Sequence, residues 1–436
     1  MNTFTSLVSA SHPKLGERLG LWAVNRYLRS IRKGHLKVRF PDGSVRLFGP
    51  PDAPRQATIT FSNFRALWRI ALRGSIGFGE SYVAKEWQTD DLVELISILL
   101  ECQEFGAESK LQIVRPMRWI QRLGHALRRN SIKGSRRNIH EHYDLGNDFF
   151  SLLLDPSMTY SSAVYEYPEQ PLFDAQMNKV RRVLDKAQVM PGDRLLEIGS
   201  GWGTLAVTTA REYGARVTTL TVSEEQYRYV QERIAREKLQ GQVEVLFCDY
   251  RSLQGTFDKI VSVEMLEAVG RQYLGTFFAV CDRLLAPHGM AVVQVICMLD
   301  QWYAEYCSRT DWIQTYIFPG SHLPALSALL EAIDRNSTFN VEAVENIAPH
   351  YARTLREWRM KLMENTAKLR ALRLDEQFQR MFEFYLASCE AEFGTRLLMD
   401  YQIVLTKPNN PRLLAHDART IHDRSGKIVS LQAQAG

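Results

Sequence analysis

Three glycines at alternate positions are the residues whose type and spacing point most directly to chemistry. Gly199, Gly201 and Gly203 follow an apolar run, residues 194–198, and precede a helix-like segment. Such a turn lets the backbone approach a nucleoside, and the helix N-terminus offers it free N–H groups. The spacing is G-x-G-x-G instead of the dinucleotide pattern G-x-G-x-x-G, and Glu197 precedes it by two residues. The sequence therefore favours S-adenosylmethionine over NAD.

Strands and helices must alternate around this turn to hold it in place. Beyond the turn, apolar β-branched runs alternate with amphipathic segments that are joined by short connections. The predicted strands are residues 216–222, 243–248, 257–265 and 289–298, and the predicted helices are 223–239, 271–285 and 323–333. This alternation is typical of an α/β fold with a doubly wound, mainly parallel sheet.

Length and composition agree with a globular protein of two or three domains. The chain has 436 residues, of which 45% are hydrophobic and 24% are charged, so it can bury a full core without disulfides. Its six cysteines show no C-x-x-C spacing and read as reduced thiols of an intracellular protein. No apolar run approaches the roughly 18 to 20 residues that span a bilayer, and no secretory leader is evident. We expect a cytoplasmic protein.

The positive charge is concentrated in the first third of the chain. Residues 1–140 hold 23 Lys and Arg against 11 Asp and Glu, and the stretch from Arg115 to Arg137 has no acid. Basic and apolar residues also interleave from Lys14 to Lys33. Such segments suit an anionic membrane surface, although a solvated helix face or a linker stays an alternative. Nucleic-acid binding is not expected, because no reader motif accompanies the charge.

The N-terminal part is predicted to form a small α+β domain. Residues 35–47 alternate apolar and polar side chains around Pro-Asp-Gly, which indicates a hairpin. A further strand is predicted at 57–61, and helices are predicted at 67–72 and 92–100. The tail beyond Pro408 loses hydrophobic periodicity and is expected to pack loosely.

Several motifs in a fixed order resemble the cyclopropane-fatty-acyl-phospholipid synthase family, which includes the mycolic acid cyclopropane synthases. They are EHYDLGNDFF at 141–150, LLLDPSMTYSSA at 152–163, LLEIGSGWG at 195–203, VSVEMLEAVG at 261–270 and WIQTYIFPG at 312–320. The resemblance implies a Rossmann-like class I methyltransferase fold. With the composition shifts, it gives four parts: an N-terminal lipid-associated domain at 1–112, a basic linker at 113–138, a methyltransferase domain at 139–407 and a tail at 408–436.

The glycine turn and the resemblance together predict the residues that hold S-adenosylmethionine. In the family, a tyrosine–serine pair packs on the cofactor, a threonine and a glutamine bind the ribose region, and an acid and an aromatic residue follow at the adenine. The predicted residues are Tyr160, Ser161, Glu197, Gly199, Ser200, Gly201, Trp202, Gly203, Thr221, Val222, Gln226, Asp249 and Tyr250.

The resemblance also implies a catalytic anion pocket. The family holds a bicarbonate, which acts as the base, with a cysteine, a glutamate, a histidine, a backbone amide and a tyrosine. The matching positions here are Ser162, Glu267, Gln294, Ile296 and Tyr351. Serine and glutamine replace cysteine and histidine; both can hydrogen-bond an anion, but glutamine does not titrate near neutrality. The replacements put ring closure in question more than methyl transfer.

The resemblance therefore implies cyclopropanation of unsaturated acyl chains in phospholipids by an enzyme on the inner membrane face. The partner would be an anionic phospholipid bilayer that contains unsaturated acyl chains. A homodimer is an alternative to a monomer that the sequence does not decide. The alternatives are a methyltransferase that leaves a methyl- or methylene-branched chain, a noncatalytic lipid-binding homologue, and a methyltransferase for a soluble molecule.

Two further groups of polar residues carry weaker chemical signals. His140 and His142 with Asp144 could be drawn as a metal site, but H-x-H on a turn is a weak pattern and no metal is predicted. Glu264 and Glu267 follow a predicted strand and could act as a carboxylate pair. We expect Glu267 to face the site and Glu264 to hydrogen-bond locally.

Overall fold

The computed structural model of the chain describes residues 14–102, 145–408, 410, 420–422 and 428–430. These residues form two compact units. In the described ranges, unit 1 contains 14–102, 299–320 and 351–398, and unit 2 contains the remainder. Two later segments thus belong with the N-terminal residues, whereas the sequence places them in the methyltransferase domain.

Unit 1 contains a four-stranded sheet covered by helices. Its strands are β1 (Gly34–Arg39), β2 (Val45–Phe48), β3 (Arg55–Phe61) and β4 (Trp87–Thr89), in the order β2-β1-β3-β4. The predicted hairpin is present, since β1 and β2 pair antiparallel with Arg39 opposite Val45. The N-terminal helices are α1 (Leu15–Leu28), α2 (Phe64–Arg73), α3 (Ser75–Val83) and α4 (Leu92–Glu101).

Unit 2 contains a seven-stranded sheet in the order β10-β11-β9-β8-β5-β6-β7. The strands are β5 (Arg194–Ile198), β6 (Arg216–Thr221), β7 (Val243–Phe247), β8 (Phe257–Val263), β9 (Leu285–Met298), β10 (Asn340–Asn346) and β11 (Leu398–Thr406). The pairs from β9 through β7 are parallel, and β10 pairs antiparallel with β11. The predicted α/β fold class is confirmed.

The remaining helices complete both units. They are α5 (Gly146–Leu153), α6 (Leu172–Lys186), α7 (Thr204–Tyr213), α8 (Glu224–Arg236), α9 (Leu274–Leu284), α10 (Asp300–Tyr306), α11 (Trp312–Tyr316), α12 (Leu326–Asn336), α13 (Ala348–Glu364), α14 (Thr366–Ala371) and α15 (Glu376–Gly394). Short 3-10 turns lie at Tyr250–Ser252, Leu266–Ala268 and Arg271–Tyr273. None of the helices in the described ranges combines the length and apolar character that crossing a bilayer requires.

The core of unit 2 lies between the parallel strands and their helices. Leu195, Val217 and Val261 are buried on adjacent strands, and they pack with Ala206 and Val230 from the helices that follow β5 and β6. The chain runs from β5 outward through β6 and β7, then returns to the other side of β5 as β8. This reversal creates a switch point at the carboxyl ends of β5 and β8, where α/β sheets bind ligands.

One predicted strand differs in its start. The strand expected from 289 begins at Leu285, because a register shift opposite Phe257 and Lys259 accommodates the residues between Leu285 and Met290.

Three predictions concern residues that lie wholly or mainly outside the described ranges. The basic stretch Arg115–Arg137 and the two histidines considered as metal ligands lie outside the described residues. Most of the tail does too, although Thr420–His422 and Ile428–Ser430 pair as antiparallel strands β12 and β13.

Candidate active site

The glycine turn joins β5 to α7 at the switch point. Gly199, Gly201 and Gly203 all have left-handed φ angles, of +99°, +48° and +85°, which favour glycine. A Cβ placed on Gly201 would meet no atom within 4 Å. Because Gly201 also lines a cavity, that Cβ would occupy space that is open to a ligand.

All but one of the predicted cofactor residues line this single cavity, which also includes Glu264, Met265 and Lys179. They are Tyr160, Ser161, Glu197, Gly199, Ser200, Gly201, Trp202, Thr221, Val222, Gln226, Asp249 and Tyr250. The exception, Gly203, is the N-cap of α7, and its α-carbon faces Val230. The structure thus brings residues from four separate strand ends around one space.

Hydrogen bonds fix the polar residues at the carboxyl ends of β6 and β7. The Thr221 hydroxyl donates to Gln226 Oε1 at 3.0 Å, and the backbone N–H of Ser223 donates to Thr221 Oγ1 at 3.1 Å. Arg251 holds both carboxylate oxygens of Asp249, at 2.8 and 2.6 Å. Thr221 and Gln226, predicted at the ribose, are therefore hydrogen-bonded to each other. The charge of Asp249 is balanced by its ion pair with Arg251.

An aromatic wall closes the cavity near α5. Trp202 is buried, its indole N–H donates to Asn147 Oδ1 at 2.7 Å, and its ring centroid lies 4.9 Å from that of Phe150. The Tyr160 ring packs edge-on against Phe150 at 5.3 Å. The motif at 141–150 thus supplies α5 residues that orient both lining aromatics.

Glu197 is a buried acid at the carboxyl end of β5. Burial raises the pKa of its carboxyl to about 8, an effect that Lys179 and Arg233 oppose. Its Oε2 atom is buried and has no hydrogen-bond partner in the described part of the chain. The sulfonium and amino groups of S-adenosylmethionine are cationic, so this acid and the open cradle at Gly201 fit that cofactor.

Glu267 and Ile296, both predicted for the anion pocket, are in direct contact with each other. The backbone N–H of Ile296 donates to Glu267 Oε1 at 2.6 Å. Burial raises the pKa of the Glu267 carboxyl to about 8, and the charge of Glu264 adds to this effect. The Oε2 atom of Glu267 has no hydrogen-bond partner among the described residues.

Gln294 and Ser162 meet at a carboxylate that belongs to the chain itself. Gln294 Nε2 donates to Glu264 Oε1 at 2.8 Å and to Asp400 Oδ2 at 2.9 Å, and Gln294 Oε1 accepts from Gln402 at 3.0 Å. The backbone N–H of Ser162 donates to the same Glu264 Oε1 at 2.8 Å, while its hydroxyl donates to the Ala163 carbonyl. The structure therefore brings both predicted residues together around Glu264.

Three residues of this cluster are absent from the predicted site: Glu264, Lys179 and Asp400. Lys179 is buried, its Nζ donates to Ser161 Oγ at 2.5 Å, and burial lowers its pKa against the opposing charges of Glu264 and Asp400. Asp400 is fully buried on β11. The only sequence signal for any of them is an acid directly after β8, at Glu264.

Tyr351 belongs to unit 1. It is buried on α13, where its ring lies 4.4 Å from the Phe393 ring and 6.2 Å from the Trp358 ring. Its assignment to the anion pocket stays a prediction.

Comparisons with known proteins match the part of the chain that contains this cavity. The family model described as mycolic acid cyclopropane synthetase matches residues 130–403, which include every residue of the cavity. The chain is 37% identical over 401 residues to the tuberculostearic acid methyltransferase UfaA1 of Mycobacterium tuberculosis, covering 89% of this chain and 91% of that protein. It is 35% identical over 347 residues to the cyclopropane-fatty-acyl-phospholipid synthase of Escherichia coli, covering 78% and 85%.

A solved structure is similar as well. The mycolic acid cyclopropane synthase CmaA1, complexed with SAH and CTAB, superposes with a TM-score of 0.59 at 31% identity. The match covers 62% of this chain and 98% of that chain.

Proposed function

Because the chain belongs to the mycolic acid cyclopropane synthetase family, we propose that it methylates the cis double bond of an unsaturated acyl chain in a membrane phospholipid and closes a cyclopropane ring there. At a coarser level, it is an S-adenosylmethionine-dependent methyltransferase of lipid acyl chains. When bound, S-adenosylmethionine supplies an electrophilic methyl group on a positively charged sulfur. The chain must hold that group against an alkene and then remove a proton.

One observation carries this proposal: the cradle at Gly201 and the Glu264 carboxylate line the same cavity. Gly201 leaves room for the methyl donor, and Glu197 offers a carboxyl to its cationic groups. The buried Trp202 and the packed Tyr160 give an aromatic wall that suits a developing positive charge. Donor binding and proton removal thus have residues at one site.

The second candidate product is a methyl- or methylene-branched chain. Gln294 stands where the resemblance implies a histidine, and its amide is engaged by Glu264, Asp400 and Gln402. An amide fixed in this way cannot accept the proton that ring closure releases. The relative named as a tuberculostearic acid methyltransferase, matched over most of its length, favours this candidate too.

Helix α1 of unit 1 supports contact with a membrane surface. Leu15, Leu19 and Trp22 are 79%, 50% and 57% exposed, although all three are large and apolar. Their spacing puts them on one face of α1 together with Arg26, whose guanidinium carbon lies 5.5 Å from the centre of the Trp22 ring. An exposed apolar stripe beside arginine is typical of helices that lie on anionic lipid.

The double variant Leu19→Gln with Trp22→Gln is expected to weaken binding to phosphatidylglycerol vesicles by about 30-fold, because each of the two apolar side chains lost from the interface forfeits on the order of 1 kcal/mol. Vesicle cosedimentation measures this. Met190→Gln is the matched control, since Met190 is 56% exposed in unit 2. Equal binding by both variants and the wild type would remove α1 from the membrane contact.

Methyl transfer itself is tested with S-adenosylmethionine that carries a labelled methyl group. Purified protein should transfer the label to the phospholipid of cis-unsaturated vesicles and not to the phospholipid of saturated vesicles. The label is measured in phospholipid extracted after the reaction. Label in neither lipid, with cofactor binding intact, would favour a noncatalytic lipid-binding protein.

A further inference from the structure

Glu264 has a backbone conformation that its residue type avoids. Its φ angle is +49°, and its backbone N–H donates to the Gln294 carbonyl at 2.8 Å. A non-glycine residue in this region is destabilised by about 1–3 kcal/mol, and such strain gathers at functional sites. Because the side chain of Glu264 lines the cofactor cavity, the strain holds a carboxylate at the place where the methyl donor is expected.

The donors around Glu264 are those that the family resemblance assigns to a bound anion. Ser162 N–H and Gln294 Nε2 both donate to Glu264 Oε1, each at 2.8 Å. A carboxylate and a bicarbonate present the same pair of oxygens on one carbon. The Glu264 side chain therefore fills the role of the anion toward these two donors.

Two buried titratable groups, Asp400 and Lys179, interact electrostatically with Glu264. Asp400 is fully buried, and burial together with the charges of Glu264 and Glu267 raises the pKa of Asp400 well above its usual value. The protonated form of Asp400 is therefore favoured. Burial lowers the pKa of Lys179, and the negative charge of Glu264 opposes this effect.

We propose that the Glu264 carboxylate is the base of the reaction, in place of a bound bicarbonate. This inference rests on the proposed function. The alkene π pair forms the bond to the methyl carbon as the carbon–sulfur bond breaks and leaves its pair on sulfur, so the second alkene carbon becomes positive. A Glu264 oxygen then takes a proton from the added methyl, and the released C–H pair closes the ring. The acid formed on Glu264 returns its proton to solvent before the next turnover.

Glu264→Gln tests the inference directly. Turnover with unsaturated vesicles should fall by about 10²- to 10⁴-fold, the range typical of a lost general base, while the affinity for S-adenosylhomocysteine should change less than about 3-fold. Wild-type turnover should be the same in bicarbonate-free buffer and in buffer with added bicarbonate. The proposal would be overturned if Glu264→Gln turned over at the wild-type rate, or if turnover by the wild type required bicarbonate.

A second variant, Glu264→Gly, removes the carboxylate without straining the backbone, so a loss of turnover in it cannot be attributed to misfolding. Glycine accepts the left-handed backbone, so the variant should fold, and removing the carboxylate vacates the two donors. Labelled bicarbonate should then bind to Glu264→Gly and not to the wild type, and it should restore part of the turnover. If Glu264→Gly failed to bind bicarbonate, or if the wild type bound it equally well, the Glu264 carboxylate would not be taking the place of a bound bicarbonate.

Lys238→Gly is the matched control for backbone strain. Lys238 has φ +59° and is exposed, so its replacement relieves similar strain away from the cavity. Turnover should be unchanged in this variant. If the wild type methylates no lipid, the proposed function fails; if it methylates lipid and Glu264→Gln does so equally well, only this inference fails.

Discussion

Gly201→Val is expected to abolish binding of S-adenosylhomocysteine, with affinity weakened at least about 100-fold, or about 2.7 kcal/mol. The Cβ and its two methyl groups would enter the open space that Gly201 lines at the cofactor cavity. Isothermal titration of the purified variant measures the loss. An unchanged affinity would remove the glycine turn from the cofactor site and with it the central assignment.

The control for this variant is Gly192→Val. Gly192 also has a left-handed φ, of +86°, and a Cβ there would also meet no atom within 4 Å, but it does not line the cavity. Both variants are destabilised by about 1–2 kcal/mol because valine avoids left-handed φ. Only Gly201→Val should lose cofactor affinity, which separates the blocked cavity from the strained backbone.

Glu267→Gln is expected to slow turnover by about 10- to 100-fold while leaving cofactor affinity within about 3-fold. The amide can still accept from the Ile296 N–H, but it can neither carry a charge nor exchange a proton beside Glu264. Initial rates on unsaturated vesicles measure the effect. The control is Glu331→Gln, on the exposed face of α12, where the side chain is 57% accessible. Normal turnover in Glu267→Gln would mean that this residue is outside the reacting centre.

The same variant should flatten the pH dependence of stability. The folded-state pKa of Glu267 is about 8, above its ordinary value of 4.5, so the folded protein keeps a proton that the unfolded chain releases between these values. The wild type therefore loses stability as pH rises from about 4.5 to about 8, and Glu267→Gln lacks that loss. Melting temperatures measured across this range give the difference, and parallel curves would contradict the assignment.

Local signals in the sequence predict the fold well. The G-x-G-x-G turn and the alternation of β-branched runs with amphipathic segments identify the parallel sheet, because both depend on residues close together in the chain. The cofactor cavity follows from the same logic, since parallel strands bring Gly201, Thr221 and Asp249 to one edge. The Pro-Asp-Gly turn likewise indicates the hairpin of β1 and β2.

The acid–amide cluster depends on contacts that no local pattern encodes. Asp400 is 106 residues from Gln294, its hydrogen-bond partner, and looks like an isolated acid in a mainly apolar strand. Glu264 looks like a local hydrogen-bonding acid until its backbone angle and its partners are known. The grouping of residues 299–320 and 351–398 with unit 1 is equally non-local, since it joins segments far apart in the sequence.

Mass spectrometry of phospholipid acyl chains, after incubation of the protein with S-adenosylmethionine and cis-unsaturated vesicles, tests the central claim most directly. We expect acyl chains that gain one CH₂ while the double bond is consumed, as a chemical probe of unsaturation would show. The same gain with unsaturation retained would replace ring closure by branching. No gain in any acyl chain, from protein that binds the cofactor, would contradict the assignment of lipid acyl chains as the substrate.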